Sequence, residues 1–206
     1  MVDVTVKVWA VTNVGRGTRT EHVIPVSPGA PIHANESHSI PLTKGADVPL
    51  DDDKTMIAVL LPKTFLCNNI NGKPDKWGVI VAEASQATET SFVGSIGEYE
   101  SHKSNYYGIW SKVIDETNRP PYLATDSAWI PACGEASSRR RQEVSDLDTH
   151  LIFIVGTEHC LSNQMYCNGP LQLGKAYRVK SYACTTTGCT ETLYSLPIWT
   201  GSFFPI

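Results

Sequence analysis

One segment of the chain carries a thiol and a guanidinium at a spacing that suits phosphate chemistry. In the stretch CGEASSR, Cys133 precedes Arg139 with five residues between them. In a loop of this kind, backbone N–H groups surround a phosphate, the arginine adds a bidentate clamp, and a low-pKa thiolate attacks phosphorus. Taken alone, this spacing predicts an enzyme with a thiolate nucleophile.

Disulfide formation is a second chemistry that the cysteines of this chain could serve. Their number is even and they are scattered over predicted loops and strand ends, which is typical of a secreted domain rather than a cytosolic enzyme. In an oxidising compartment, a thiolate at Cys133 would have to survive among five other cysteines. This favours structural disulfides, although the residues alone leave their pairing open. The six are Cys67, Cys133, Cys160, Cys167, Cys184 and Cys189.

Two groups of residues have side chains that bind metals. His159, Cys160 and Cys167 offer nitrogen and sulfur ligands for zinc, but the Cys-x2-Cys spacing of structural zinc sites is missing. The acidic run 51–53 consists of consecutive aspartates and lacks the alternate spacing of a calcium loop. A disulfide and a solvated turn explain these residues better, so we expect no metal and no other cofactor.

The composition indicates an ordinary globular protein that can bury a core. Of the 206 residues, 41% are hydrophobic and 18% charged, and the formal charge is -4. This weak acidity would not attract a polyanion, so we do not expect nucleic acid as a partner. No stretch approaches the roughly 18 apolar residues that span a bilayer. The closing PIWTGSFFPI is apolar and aromatic, as a segment just outside a membrane is.

The hydrophobic period along the chain is mostly two, which predicts strands. Residues 1–26 contain VTVKVWAVT, the turn NVGRGT and the extended EHVIPV, so we predict a hairpin there. Residues 27–54 are rich in Pro, Gly, Ser and Asp and are predicted to be a linker with one short strand. No long stretch shows a 3.6-residue period with caps, which favours an all-β sandwich. The predicted β-rich runs are MIAVLLPKTFL, KWGVIVAEA, HLIFIVG, AYRVKSYACT and LYSLPIW.

The segment 85–149 is too long for a loop between two strands, so we expect it to carry extra strands and a short helix. Six aromatic residues, some of them in this insert, could form a recognition surface. Core packing is the favoured interpretation for each of them, because aromatic side chains dominate sandwich interiors. An exposed cluster in the insert would instead indicate a partner site. These residues are Trp77, Trp110, Trp129, Trp199, Tyr106 and Tyr107.

Tyr177 begins a strand in which alternate residues share one face, and its hydroxyl is expected to turn back to the preceding corner. This is the tyrosine corner of immunoglobulin-like and fibronectin type III sandwiches. The surrounding YCNGPLQLGKAYRVKSYA, the later LYSLPI and the earlier TFLCNNINGKPDKWGVIVAEA resemble the membrane-proximal extracellular region of receptor-type protein tyrosine phosphatases, of the insect neuronal type. The resemblance covers roughly residues 55–199. Residues 1–26 resemble the last strands of a preceding fibronectin type III repeat.

The resemblance implies a fibronectin III-like domain over 55–200, with a juxtamembrane tail at 201–206. It implies a non-catalytic ectodomain segment at the plasma membrane, adjacent to the bilayer without spanning it. Such a segment spaces and couples ligand binding, in cell adhesion and axon guidance, to a cytoplasmic phosphatase. The expected partners are cell-surface or extracellular proteins, together with sulfated glycans. The alternative is an adhesion or cytokine-receptor module that binds a protein directly.

The same resemblance argues against catalysis by this chain. The catalytic loop of the family has His where Ala132 stands, and it has Gly, which brings the backbone close to phosphate, where Ala136 stands. A Trp-Pro-Asp segment that would supply the general acid is also missing. Together with local geometry, the resemblance implies three disulfides: Cys67 with Cys133, Cys160 with Cys167, and Cys184 with Cys189.

Two features concern processing of the chain. Asn35 lies in the Asn-Glu-Ser sequon, where a glycan would be tolerated. The run Arg139, Arg140, Arg141 has three interpretations, which are a solvated loop, a contact for sulfated glycans, and a proprotein-convertase cleavage site. Cleavage would fit a processing event known in the family, but Ser138 occupies the position where convertases favour arginine.

Overall fold

The structure is a computed structural model. It describes residues 55–88, 91–133, 149–161 and 164–201, together with Gly29, Pro31 and the backbones of five short amino-terminal strands. The sequon at Asn35, the aspartates 51–53 and the arginines 139–141 lie outside the described residues.

The amino-terminal strands form a hairpin, as the alternating pattern predicts. β1 (Val2–Val8) pairs antiparallel with β4 (Thr20–Val26) over its whole length. Between them, β2 (Val11–Thr12) pairs with β3 (Gly15–Arg16). The assignment of this hairpin to a fibronectin type III repeat stays a prediction.

The remaining strands form two antiparallel sheets, so the prediction of an all-β sandwich is confirmed. The first sheet has the order β10-β6-β5. The second has the order β8-β12-β11-β7-β9, and β13 pairs with the start of β11. The strands are β5 (Ile40–Pro41), β6 (Ile57–Pro62), β7 (Lys76–Glu83), β8 (Val93–Ser95), β9 (Tyr122–Leu123), β10 (His150–Val155), β11 (Ala176–Cys184), β12 (Gly188–Glu191) and β13 (Ile198–Trp199).

The core lies between the facing sides of the two sheets. Alternate residues of β6, such as Val59 and Leu61, pack in one cluster with Val79 of β7 and with Tyr177 and Val179 of β11. All five are fully buried. The period of two in these strands therefore marks the inward side chains correctly, because successive residues of a strand point to opposite faces.

The insert has structure of its own, as expected: β8, β9 and two helices, α2 (Ile96–Tyr106) and α3 (Trp110–Val113). The sequence analysis expected a short helix in the insert but did not identify the cap of α2. Ser95 and Glu98 form a capping box, in which each side chain accepts from the other residue's backbone N–H. The helix lacks a 3.6-residue apolar period because, among its residues, only Tyr99 is buried.

Three local predictions also need correction. In the run MIAVLLPKTFL, the last four residues form the short helix α1 (Lys63–Leu66), not a strand. In LYSLPIW only Ile198–Trp199 forms a strand longer than one residue, while β12, in the stretch GCTE, was not predicted.

No helix in the described parts of the chain is both long enough and apolar enough to cross a membrane.

Candidate functional site

All six cysteines are in disulfides, in the three pairs that the resemblance implied. Cys67 is bonded to Cys133, Cys160 to Cys167, and Cys184 to Cys189. The first bond links residues 66 apart in sequence, and in the chain-entropy model closing such a loop stabilises the fold by about 4 kcal/mol. Three disulfides indicate an extracellular or secreted location, since reducing compartments keep thiols free.

The disulfides decide the chemistry of two candidate sites. Because Cys133 Sγ is bonded to Cys67, it is not a thiolate nucleophile in this structure, and Arg139 lies outside the described residues. Cys160 and Cys167 are bonded to each other, so they do not offer zinc two thiolate ligands beside His159. Within the described residues, no group of three or more His, Cys, Asp or Glu side chains could hold a metal.

The strand registers define the two ends of the sandwich. At one end, Cys184 of β11 lies opposite both Cys189 of β12 and Lys76 of β7; we call this end the stapled pole. At the other end, Ala176 of β11 lies opposite Trp199 of β13; we call this end the exit pole. β11 has nine residues, so the poles are about 30 Å apart.

Three hydrogen bonds attach the segment 29–31 to the stapled pole. The Gly29 N–H donates to the Asn71 carbonyl oxygen at 2.8 Å, and the Thr185 hydroxyl donates to the Gly29 carbonyl oxygen at 2.6 Å. The Thr190 hydroxyl donates to the carbonyl oxygen of Pro31, a buried residue, at 2.9 Å. We call Asn71, Thr185 and Thr190 the entry clamp. Part of the predicted linker 27–54 is therefore bound to the sandwich.

Local structure holds the two threonines of the entry clamp in place. The Cys184–Cys189 disulfide joins β11 to β12, and both of its cysteines are buried. Thr185 directly follows one cysteine and Thr190 directly follows the other. The Thr185 N–H donates to the Gly188 carbonyl oxygen at 2.9 Å, which closes the turn between the strands. The disulfide therefore fixes both hydroxyl donors relative to each other.

A buried charge cluster covers the outer face of the second sheet. Lys180 Nζ lies 2.7 Å from Glu191 Oε2, and both side chains are inaccessible to solvent. The Tyr107 hydroxyl donates to Glu191 Oε1 at 2.6 Å, and the Phe92 N–H donates to Oε2 at 3.3 Å. Burying two charges is costly unless both are paired and hydrogen-bonded. The carboxylate of Glu191 meets this condition and ties β12 to β11 and to the insert.

His102 of α2 is the solvent-facing member of this cluster. Its Nε2 lies 3.0 Å from the Tyr107 hydroxyl. Because that hydroxyl donates its hydrogen to Glu191, we assign the proton to Nε2, which donates to Tyr107. Burial lowers the pKa of His102, nearby Glu191 opposes this, and Lys180 adds to it. Burial, assisted by Glu191, raises the pKa of Tyr107.

Cations and aromatic rings alternate along this outer face. Lys180 Nζ lies 5.1 Å from the centroid of the Tyr107 ring and 4.7 Å from that of Tyr194. The Arg178 guanidinium lies 5.8 Å from the Tyr194 centroid. These separations suit cation–π attraction. The sequence analysis did not single out Arg178 or Lys180, although the alternation of basic and core residues in AYRVKSYA is a signal that could have been used.

Tyr177 occupies the position predicted for a tyrosine corner. Its ring is fully buried, and its hydroxyl accepts a hydrogen bond from the Gln172 N–H at 3.1 Å. Burial raises the pKa of this hydroxyl. The ring fills the core while the hydroxyl satisfies a backbone group of the preceding corner, as the sequence interpretation required.

The aromatic residues divide between core and surface. Trp77, Trp110 and Tyr107 are buried, and Trp129 is partly buried with its ring against Phe153. Core packing was the correct prediction for these four. Two others are exposed. They are Tyr106, whose ring lies tilted against that of His102, and Trp199 at the exit pole.

The candidate site in the described residues consists of three sets of attachments: the entry clamp, the buried charge cluster and the exit pole. The sequence analysis did not single out the residues of the entry clamp, because their partners are backbone atoms far away in sequence. In comparisons with known proteins, no family model and no curated protein matches the chain.

Proposed function

We propose that the chain is a non-catalytic extracellular segment of a single-pass receptor tyrosine phosphatase. It spaces ligand-binding parts of the receptor from the plasma membrane and couples their arrangement to a cytoplasmic phosphatase domain. The resemblance of the Tyr177 strand and its preceding turn to the membrane-proximal region of such receptors supports this assignment. The sandwich fold and the three disulfides are compatible with it.

One observation carries the mechanical part of the proposal: the polypeptide is attached at both poles of the sandwich. At the stapled pole, the entry clamp holds the backbone of Gly29 and Pro31. At the exit pole, the buried Thr200 hydroxyl donates to the Gln172 carbonyl oxygen at 2.6 Å. A displacement of the amino-terminal side is therefore passed through a cross-linked body to the carboxyl-terminal side.

The disulfides and the buried charge cluster make this body suitable as a strut. Cys67–Cys133 anchors the insert to the chain just after β6, and Cys184–Cys189 closes the turn that carries the clamp. Lys180 and Glu191 join two neighbouring strands beneath the insert. Few internal motions are left to absorb a displacement, because the first contact joins elements 66 residues apart and the other two lock β11 to β12.

Measuring the distance between the amino-terminal hairpin and the sandwich tests the coupling. Spin labels are introduced through unnatural amino acids at Thr5 of β1 and at exposed Ser127, which leaves the disulfides intact. We expect a narrow distance distribution for the unmodified chain. The double variant Thr185→Val, Thr190→Val should broaden it, because the clamp loses both hydroxyl donors. Ser104→Ala, which removes a hydroxyl of exposed α2, is the matched control.

Equal distributions in the clamp variant and in the unmodified chain would overturn the coupling proposal. The non-catalytic part has its own test, which is hydrolysis of para-nitrophenyl phosphate under reducing conditions. We expect no turnover, either in the unmodified chain or in Cys67→Ser, which frees the thiol of Cys133. Turnover that disappears in Cys133→Ser would contradict the proposal.

A direct protein-binding module is the second candidate, and one observation favours it. Tyr106 is exposed in the insert, and its ring contacts that of His102 in a tilted arrangement, with 4.6 Å between centroids. Exposed tyrosines on a rigid support are frequent anchors of protein interfaces. Under this alternative, Tyr106→Ala abolishes capture of a protein ligand, whereas the clamp variant does not affect it.

A further inference from the structure

The exit pole carries three large apolar side chains in contact with solvent. The exposed fractions are 61% for Leu173, 66% for Leu196 and 61% for Trp199. Isolated apolar residues on a surface need no explanation, but a group of them at one place indicates an interaction site. We call these three residues the exit patch.

Contacts of Thr200 bring Leu173 and Trp199 of the exit patch close together. Trp199 directly precedes Thr200, and Leu196 lies three residues before Trp199. Leu173 belongs to the turn whose next residue, Gly174, donates its N–H to the Thr200 carbonyl oxygen at 3.3 Å. Leu173 and Trp199 of the patch therefore lie on either side of the backbone contact between Gly174 and Thr200.

The chemistry of the exit patch suits the surface of a bilayer. Tryptophan is enriched at the level of lipid headgroups, where its ring is apolar and its N–H remains hydrated, and leucine enters the acyl boundary. Directly after the patch, the sequence continues as SFFPI, which has no charged residue. The apolar composition of this sequence, which begins at Ser202, fits a lipid surface as the occupant of the patch better than a hydrated protein interface. The formal charge of -4 favours zwitterionic over anionic lipid.

We infer that the exit patch rests on the outer leaflet of a zwitterionic bilayer, with the ring of Trp199 at the level of the headgroups. This inference deepens the proposed function and rests on it for the position of the chain next to a membrane. This contact would set the orientation of the sandwich relative to the membrane. The exit pole faces the lipid surface, and the entry clamp lies at the opposite pole.

Co-sedimentation of the whole chain with phosphatidylcholine vesicles tests the inference. We expect the unmodified chain to bind and Trp199→Ser to bind about tenfold more weakly, because one large apolar side chain is lost from the interface. Leu173→Ser is the second variant and should also weaken binding, by a smaller factor. Both side chains are largely exposed, so neither change should unfold the sandwich, and circular dichroism checks this.

Ile70→Ser is the matched control, because Ile70 is 69% exposed and lies in the turn between α1 and β7, at the stapled pole. Its binding to vesicles should equal that of the unmodified chain. The inference is overturned if the unmodified chain does not sediment with vesicles, or if Ile70→Ser weakens binding as much as Trp199→Ser. It is also overturned if sedimentation velocity without lipid reveals a dimer that Trp199→Ser dissolves while vesicle binding is unchanged. The spin-label measurement contains no lipid, so failure of the coupling proposal is separable from failure of this one.

Discussion

The two faces of β11 are buried by different physical means. The inner face, with Tyr177, Val179 and Ala183, packs against the first sheet in a mainly apolar core. The outer face carries Lys180, which is paired with Glu191 beneath the insert. Apolar burial is non-directional and tolerates changes that conserve volume. Charge burial depends on a few partners at fixed distances, so the comparison teaches that the outer face is more sensitive to a single substitution.

The largest effect is expected from breaking the outer pair. Glu191→Ala removes the carboxylate that lies 2.7 Å from the buried ammonium of Lys180, so the free energy of unfolding should fall by about 3–5 kcal/mol. Chemical denaturation with disulfides intact measures this change. The double variant Lys180→Met, Glu191→Leu should recover most of the loss, because no charge is then buried. If the double variant is as unstable as Glu191→Ala, the pairing of these charges is not what holds the outer face.

Truncation of the inner face should have a smaller effect. Val179→Ala removes two buried methyl groups and leaves a small cavity, so we expect a loss of about 2 kcal/mol in the free energy of unfolding. Chemical denaturation under the same conditions measures this loss beside that of Glu191→Ala. A loss at Val179 as large as the loss at Glu191 would erase the distinction between the faces.

The tyrosine corner lies on the inner face but depends on a single polar contact. Tyr177→Phe keeps the buried ring and removes the hydroxyl that accepts from the Gln172 N–H. The expected loss is about 1 kcal/mol in the free energy of unfolding, the usual contribution of one hydrogen bond. Tyr106→Phe serves as the control, because its ring is exposed at the surface. If both variants lose the same free energy of unfolding, the hydroxyl of Tyr177 does not stabilise the corner.

The smallest effect concerns His102, at the solvent edge of the outer face. Burial lowers its pKa in the folded chain, against the influence of Glu191 and together with that of Lys180. The unfolded chain then binds a proton more readily than the folded one. The contribution of neutral His102 to the free energy of unfolding is complete above its unfolded pKa of about 6.5. It is lost as the pH falls through the lower pKa of the folded chain. His102→Gln keeps a donor to Tyr107 and should remove this part of the pH dependence, as denaturation near pH 7 and below pH 6 would measure. If the pH dependence of stability is the same in His102→Gln as in the unmodified chain, His102 is not its source.

The sequence and the tertiary structure agree best where burial follows a simple period. The strand at 176–184 and the inward position of Tyr177 follow from alternation along the chain, and the structure contains both. The cysteine pairs came from a resemblance and not from spacing, because spacing alone permits many connectivities. The hairpin in residues 1–26 follows from two apolar runs around a turn.

The sequence analysis failed where burial does not repeat along the chain. The capping signal Ser95-x-x-Glu98 is present in the sequence, but α2 has no apolar stripe because it buries only Tyr99. Lys180 occupies a position that alternation assigns to solvent, yet it is fully buried. Alternation along a strand shows which residues share a face. It does not show which element packs against that face.

By itself, the sequence determined that the chain is β-rich, which face of β11 is apolar, and that the cysteines suit an oxidising compartment. Only the tertiary structure decided the attachments. The Thr185 hydroxyl meets the Gly29 carbonyl oxygen across 156 positions, and Tyr107 meets Glu191 across 84. The physical reason is that local patterns record how each element divides between core and solvent, whereas a hydrogen bond between distant residues depends on where folding brings whole elements together.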